Sequence, residues 1–447
     1  MTYSVPVDYR VGVPAGNAIA SGGFSESFVI KRFVPNNGTD FRLGSRVNFK
    51  IADAECILHP NQMYLKWKPL AQSGGAKYEG TEAQGAISGQ TAAIKNVSLT
   101  CMGKQIENIQ NYNRFCAQEY INSPLELKIY LEKTEGLTFF SNGKMTRDNR
   151  RSFLGDNNGN RYAMHQLQVG LRGMSSLELP LIPSGIDLEL VLTTAITEAF
   201  PVSHTIDNIL WQNVELVAVF TRPPENFWSN MAHRLQRGEV LQRPIQTIRY
   251  QSYQPTNSSS FTMTIDSGVV RSVSSILVCG NDTKKTHTDK LNYSTDLGIR
   301  SISFSVGGKR IPEGKAISYS INDPELYVLG FRGRDYESMC FVPSTYLFDE
   351  ERLTSDVPGA TAGEGGAKVV RGWQFRFNLK DALSGYGDGL STLTGSFQIN
   401  VSTIPESPDF LSETPPALGA ESSLDVWYVT DQVAEISASG FKLTPVW

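Results

Sequence analysis

Apolar and polar residues alternate at a period of two along the whole chain, and this pattern limits the fold more than any other feature. A period of two puts successive side chains on opposite faces of an extended strand, so one face can be buried while the other meets water. Val47, Phe49 and Ile51 alternate with Arg46, Asn48 and Lys50, and Ile186, Leu188, Leu190 and Leu192 enclose Asp187 and Glu189. Val214, Leu216, Ala218 and Phe220 form a third run, and Phe261, Met263 and Ile265 stand between threonines. Trp373, Phe375, Phe377 and Leu379 alternate with Gln374, Arg376 and Asn378. The 39 glycines and 22 prolines fall largely between such runs, where turns are expected. The class is all-β.

Helical signals are few and short. Ser123-Pro124-Leu125-Glu126 opens a segment through Lys133 with a capping box, Ser123 at the N-cap, Pro124 in the first turn and Glu126 at N3. Asp323-Pro324-Glu325 starts a second. A third, Pro224 to Leu235, is followed by Arg237 and Arg243 and reads as a connector between two halves. Three long segments, 71–91, 141–162 and 354–368, are rich in small or polar residues and are expected to be exposed loops.

A chain of 447 residues is long enough for two domains, and it carries an internal duplication. Asn96 to Glu107 (NVSLTCMGKQIE) resembles Ser301 to Pro312 (SISFSVGGKRIP), so that Gly103 pairs with Gly308, Lys104 with Lys309 and Ile106 with Ile311. Pro124 pairs with Pro324, and GIDLELVLTT from Gly185 pairs with GSFQINVSTI from Gly395. Val214-Glu215-Leu216-Val217-Ala218 pairs with Leu424-Asp425-Val426-Trp427-Tyr428. These anchors come in one order at nearly constant spacing, which favours two copies of one β fold. That many antiparallel strands per copy suit a two-sheet jelly roll; a propeller would repeat every 40–50 residues or so, and no such period is present.

The tandem halves, the linker FTRPPENFWSNMAHRLQRGEV (Phe220 to Val240) and the run SSLELPLIPSGIDLELVLTT (Ser175 to Thr194) resemble the double jelly-roll major capsid proteins of icosahedral double-stranded DNA viruses. That lineage includes adenovirus hexon and the capsid proteins of virophages and polinton-like viruses. The resemblance implies two tandem jelly-roll β-sandwiches with a few short helices and long loops. It places an N-terminal arm at 1–23, a first jelly roll at 24–222, a linker with a short helix at 223–243 and a second jelly roll at 244–447. It further implies a homotrimer that forms a pseudo-hexameric capsomer, a penton or minor capsid protein as partner, and a place in the virion. The arm would run beneath the shell, and the long loops would face outward.

Composition bears on the rival functions. The 41 basic and 45 acidic residues nearly cancel, which gives no reason to expect direct genome contact. The densest basic patch, Lys144, Arg147, Arg150 and Arg151, reads first as a solvated loop face, although it could pair with a neighbouring subunit or touch nucleic acid. Charged residues are 19%, against about 25% in an average soluble protein, as expected of a flank covered by neighbours. No apolar stretch approaches a membrane span, and the first residues have no signal-peptide pattern, so neither an anchor nor secretion is expected.

No catalytic residue, metal site or cofactor is expected. His59, His165, His204, His233 and His287 are scattered, without the spacing of a metal site. Cys56, Cys101, Cys116, Cys279 and Cys340 read as free thiols. GDNNGN (Gly155 to Asn160) departs from a calcium loop at Arg161 and Leu167, which leaves a polar turn. The Gly-Lys pairs lack the remaining residues of a phosphate loop and read as turns. The main alternative is a tandem β-sandwich that binds or hydrolyses glycans, with Trp67, Trp211, Trp228, Trp373, Trp427 and Trp447 as stacking platforms. Against it, Trp67, Trp373 and Trp427 lie in alternating strands, where core packing is expected. A minor structural or attachment protein is a third reading.

Overall fold

A computed structural model describes residues 27–77, 89–121, 130, 134–135, 162–174, 176–182, 184–194, 196, 207–223, 225–254, 260–265, 272–282, 301–311, 316–318, 374–378, 390–391, 396–402, 422–438 and 440–445. The first half contains β1 (Ser27–Phe33), β2 (Arg46–Ile51), β3 (Ile57–Ser73), β4 (Ala76–Lys77), β5 (Ile94–Cys101), β6 (Lys104–Ile109), helix α1 (Tyr112–Ile121), β7 (Ala163–Gln166), β8 (Ile186–Leu192) and β9 (Asn208–Arg222). Helix α2 (Glu225–Gln236) leads into β10 (Leu241–Tyr253), β11 (Ser260–Ile265), β12 (Ser272–Asp282), β13 (Ser301–Val306) and β14 (Lys309–Ile311). The chain continues through β15 (Ile317–Ser318), β16 (Gln374–Asn378), β17 (Leu390–Ser391), β18 (Phe397–Ser402), β19 (Ser422–Ser437) and β20 (Gly440–Pro445).

The pairings described are antiparallel and repeat one wrapping order in both halves. In the first half β1-β9-β3-β7 faces β2-β8-β5-β6; in the second, β10-β19-β12-β16 faces β11-β18-β13-β14. With eight main strands per half counted in chain order, each half has sheets ordered 1-8-3-6 and 2-7-4-5. This is the double-sheet wrap of a jelly roll. The short β4, β15 and β17 and the final β20 are additions at strand ends and edges.

Period-two burial builds both cores. Val47, Phe49 and Ile51 on β2 and Ile186, Leu188, Leu190 and Leu192 on β8 point inward, opposite Leu65, Trp67, Leu216 and Phe220 from the other sheet. Trp67 and Trp211 stack at 4.4 Å between ring centroids in the middle of this core. In the second half Phe261, Met263 and Ile265 meet Ile276, Val278, Val426 and Tyr428 across a core in which Phe304 stacks on Phe397 at 5.8 Å. Burying a Leu, Ile or Phe side chain stabilises by roughly 1.5–3 kcal/mol each, so each interior is well supplied.

The duplicated Gly-Lys sites are matching hairpin turns. Two residues join β5 to β6 (Met102, φ 50°; Gly103, φ 74°) and two join β13 to β14 (Gly307, φ 56°; Gly308, φ 82°). Positive φ at both central residues is the turn whose twist matches the flanking strands, and glycine adopts it without strain.

Two expectations need adjustment. Residues 71–91 do not form one exposed loop: 71–73 complete β3, Ala76–Lys77 returns as β4, and 78–88 lie outside the described residues. Gly89–Ala93 is a buried 3₁₀ turn tucked beneath α1, where Asn113 Nδ2 donates to Ala92 O at 3.0 Å. Small side chains there permit close packing instead of exposure. Second, β10 begins at Leu241, inside the expected linker. Helix α1 was not anticipated from the sequence; Tyr112, Phe115 and Cys116 supply its apolar stripe at i, i+3 and i+4. The arm at 1–23, the helix starts at Ser123 and Asp323, and the loops 141–161 and 354–368 lie outside the described residues.

Candidate functional site at the seam between the sandwiches

The sheet formed by β10, β19 and β12 is buried on both faces. On β19, Leu424, Val426 and Tyr428 point into the second core, while the intervening Trp427 packs against the first sandwich. On β12, Ile276 and Val278 face the second core, and Leu277 and Cys279 face the first sandwich. Ile248 of β10 joins the same apolar layer, so the first core continues through the seam.

Polar groups of the seam are matched across it. Arg114 on α1 forms an ion pair with Asp425, the side chains being 6% and 1% exposed. Asp425 also accepts from Tyr250 Oη and Ser252 Oγ, each at 3.0 Å, and Tyr250 Oη accepts from Asn111 Nδ2 at 2.8 Å. Trp427 Nε1 donates to Gln110 O at 3.1 Å. Glu107 on β6 accepts the backbone N–H of Gly170 at 2.9 Å and that of Ile248 from the second sandwich. Desolvation pushes its carboxyl up to about 8, opposed by those N–H bonds and by Arg249. Arg243 Nε reaches the buried carboxylate of Glu178 at 3.1 Å.

The backbones touch as well. A Cβ on Gly170 would lie 2.2 Å from Gln246 O and 2.6 Å from the Cα of Thr247, so only glycine fits. At the tip of the β5–β6 hairpin, Met102 Sδ accepts the N–H of Phe441 from β20 at 3.3 Å. A cavity of about 290 Å³ remains in the seam, with Phe115, Leu277 and Trp427 among its apolar lining and Glu119 and Arg172 among its polar lining. Helix α2 docks back on the first half, where Trp228 Nε1 donates to Glu55 O at 2.8 Å.

Residues weighed for chemistry are dispersed. His165 is buried, with Nε2 2.7 Å from Tyr112 Oη and Nδ1 3.0 Å from Glu135 Oε1. His59 lies 2.6 Å from Thr221 Oγ1, and His233 is on α2. His204, His287 and Cys340 lie outside the described residues, as do Trp373, Trp447, the GDNNGN turn and the basic cluster at Lys144 to Arg151. Among the described residues, no group of three or more His, Cys, Asp or Glu is placed to hold a metal. Cys56, Cys101, Cys116 and Cys279 are buried thiols outside any disulfide. Trp67, Trp211 and Trp427 are fully buried, out of reach of a stacking sugar. No described helix is long and apolar enough to cross a membrane.

Arg114, Glu107, Tyr250 and Asp425 were not singled out in the sequence. A signal existed: Asp425 interrupts an apolar strand whose every neighbour is buried, and an isolated charge there requires a partner. The partner, 311 residues away, could not be read from the pattern.

No family model matches the chain, and no curated protein matches it by sequence. Solved structures do match in fold. A chain of the Sputnik virophage, from a 3.5 Å cryo-EM structure, superposes with a TM-score of 0.57 at 10% identity, covering 100% of this chain and 93% of its own. PBCV-1 VP54, in a crystal structure fitted into a reconstruction of Sputnik, gives 0.55 at 11% identity, covering 94% and 98%. The Faustovirus major capsid protein gives 0.53 at 8% identity, covering 96% and 93%. With the strand order above, these matches give the chain the double jelly-roll fold.

Proposed function

We propose that the chain is a major capsid protein, a structural subunit without catalytic activity that builds a viral shell. The observation that carries this reading is the side-by-side locking of two sandwiches of identical strand order through a buried seam. Two like bodies held in that way supply two of the six corners of a hexagon, and three copies around a threefold complete it. Likeness in fold to the Faustovirus major capsid protein supports the same reading.

In this proposal the first jelly roll spans 24–222, the second runs from β10 at Leu241 to 447, and α2 (Glu225–Gln236) ties them together. The trimer is a pseudo-hexameric capsomer that tiles an icosahedral shell in the virion, closed by a penton or minor capsid protein. Stability of the particle comes from modest interfaces multiplied by symmetry. Burial of Trp67, Trp211 and Trp427 in cores and seam weighs against the glycan-binding alternative.

Light scattering tests it. Three copies of 49.3 kDa give a particle of about 148 kDa, and negative-stain images are expected to show hexagonal outlines roughly 70–100 Å across, on ordinary domain dimensions. A monomer that binds oligosaccharides would overturn the proposal.

A further inference from the structure

Backbone meets backbone at Gly170, yet beside it the seam opens into the cavity of about 290 Å³. Voids larger than a water molecule are few in packed protein, and ligand pockets begin at a similar size, roughly 300–1,000 Å³. Both sandwiches build this cavity. Phe115 on α1 and Val169, just before the 3₁₀ turn Gly170–Gly173, come from the first; Ile248, Leu277 and Trp427 come from the second. None of the five is more than 7% exposed. The Phe115 and Trp427 rings lie 5.9 Å apart between centroids, tilted by 45°, and so present an aromatic wall drawn from both bodies.

Charge is confined to the side that meets solvent. Glu119, one turn beyond Phe115 on α1, is half-buried, and Arg172 in the 3₁₀ turn is exposed. Glu119 already interacts within the chain. The Arg172 guanidinium donates to Gln168 Oε1, a neutral partner, and among the described residues no carboxylate is paired with it. A guanidinium has donors to spare after one such bond, and its fork matches a carboxylate with two parallel hydrogen bonds. The cavity therefore joins a dry apolar interior to an unneutralised cation at its mouth.

We propose that this cavity binds a small amphiphile composed of an apolar chain or ring and one carboxylate. The apolar body lies against Phe115, Leu277 and Trp427, and the carboxylate pairs with Arg172 at the mouth. A neutral analogue gains the burial without the ion pair, and a cationic one brings like charge to Arg172. Because both sandwiches line the cavity, the ligand fits only the docked seam and stabilises it by mass action. Binding requires only the two sandwiches of one chain, and it stands whether or not the chain builds a shell.

Calorimetric titration of the full chain with octanoate, 1-octanol and octylammonium tests this. Octanoate is expected to saturate a single site per chain and to bind about tenfold more tightly than 1-octanol, the effect of one charge-assisted hydrogen bond at an exposed mouth. Octylammonium should bind most weakly. Arg172→Gln is expected to bring octanoate down to the affinity of 1-octanol while 1-octanol binds as in the wild type. Leu277→Phe narrows the cavity and should abolish binding of both. The absence of saturable octanoate binding overturns the proposal, and so does octanoate binding undiminished in Arg172→Gln or in a folded Leu277→Phe. A preference for octylammonium likewise overturns it. Arg172 is exposed, so Arg172→Gln leaves the core untouched and decides the matter if Leu277→Phe misfolds.

Discussion

Arg114 on the first sandwich and Asp425 on the second form an ion pair whose side chains are almost wholly removed from water. Desolvating two charges offsets most of their attraction, so such a pair contributes little net stability relative to an apolar pair of similar size. Its expected role is that of a selector: a packing of the sandwiches that separates the partners while keeping them buried leaves two charges without compensation, and the observed seam avoids this.

Replacing one partner should therefore cost more than replacing both. Asp425→Ala is expected to lower the unfolding free energy by about 3–5 kcal/mol, because Arg114 is left charged and buried. The double variant Arg114→Met/Asp425→Leu should recover most of that loss. Urea unfolding of the three proteins measures it, and equal losses in the single and double variants would refute the selector role.

Gly170 and Gly103 make a controlled comparison. At Gly170 an added methyl meets backbone of β10 at 2.2 Å, so Gly170→Ala must push the sandwiches apart; a loss at or above the usual overpacking cost of about 1–3 kcal/mol is expected. Gly103 has φ +74° and open space around it, so Gly103→Ala costs only the left-handed conformation, about 1–2 kcal/mol. Thermal unfolding should rank Gly170→Ala as the more damaging, with its native seam disturbed.

Glu107 makes seam stability depend on pH. Its folded value, pushed up to about 8, lies above the ordinary 4.5, so the folded state holds the proton more tightly than the unfolded chain. The resulting stabilisation is full below about 4.5 and is lost as pH rises through about 8. Glu107→Gln removes this component and should gain stability relative to wild type across that window. Unfolding midpoints for both proteins from pH 4.5 to 9 provide the check, and parallel curves would show that Glu107 does not titrate there.

The Trp67–Trp211 stack is a core element. Trp211→Ala is expected to cost about 3–5 kcal/mol through cavity formation, measured by denaturant unfolding. Added oligosaccharides should leave the fluorescence of a Trp228→Phe/Trp373→Phe/Trp447→Phe variant unchanged, since the remaining Trp67, Trp211 and Trp427 are shielded. A saturable change would revive the glycan reading.

Most of the strand framework was legible because it is local. The alternation in 46–51, 186–192, 214–220 and 261–265 sets which residues point inward, and Gly103 and Gly308 mark turns that need positive φ. Glycines and small residues mislead in 89–93, since the same composition suits a loop in water and a tight turn under a helix. The repeat between 96–107 and 301–312 announced two like units, and the matching sheet orders explain why those hairpins look alike.

What the sequence determined by itself was therefore many of the strands and their inward faces, which depend on neighbours a few residues apart, and the duplication, which needs only a comparison of one local pattern with another. Only the tertiary structure decided what the second face of β19 meets. Ser423 to Tyr428 are buried without interruption, which in sequence looks like one apolar strand with a misplaced aspartate. In the fold one face belongs to a core and the other to a seam. Asp425 finds Arg114 there because two sandwiches pack together, a relation set by shape and desolvation over hundreds of residues and invisible to any local period.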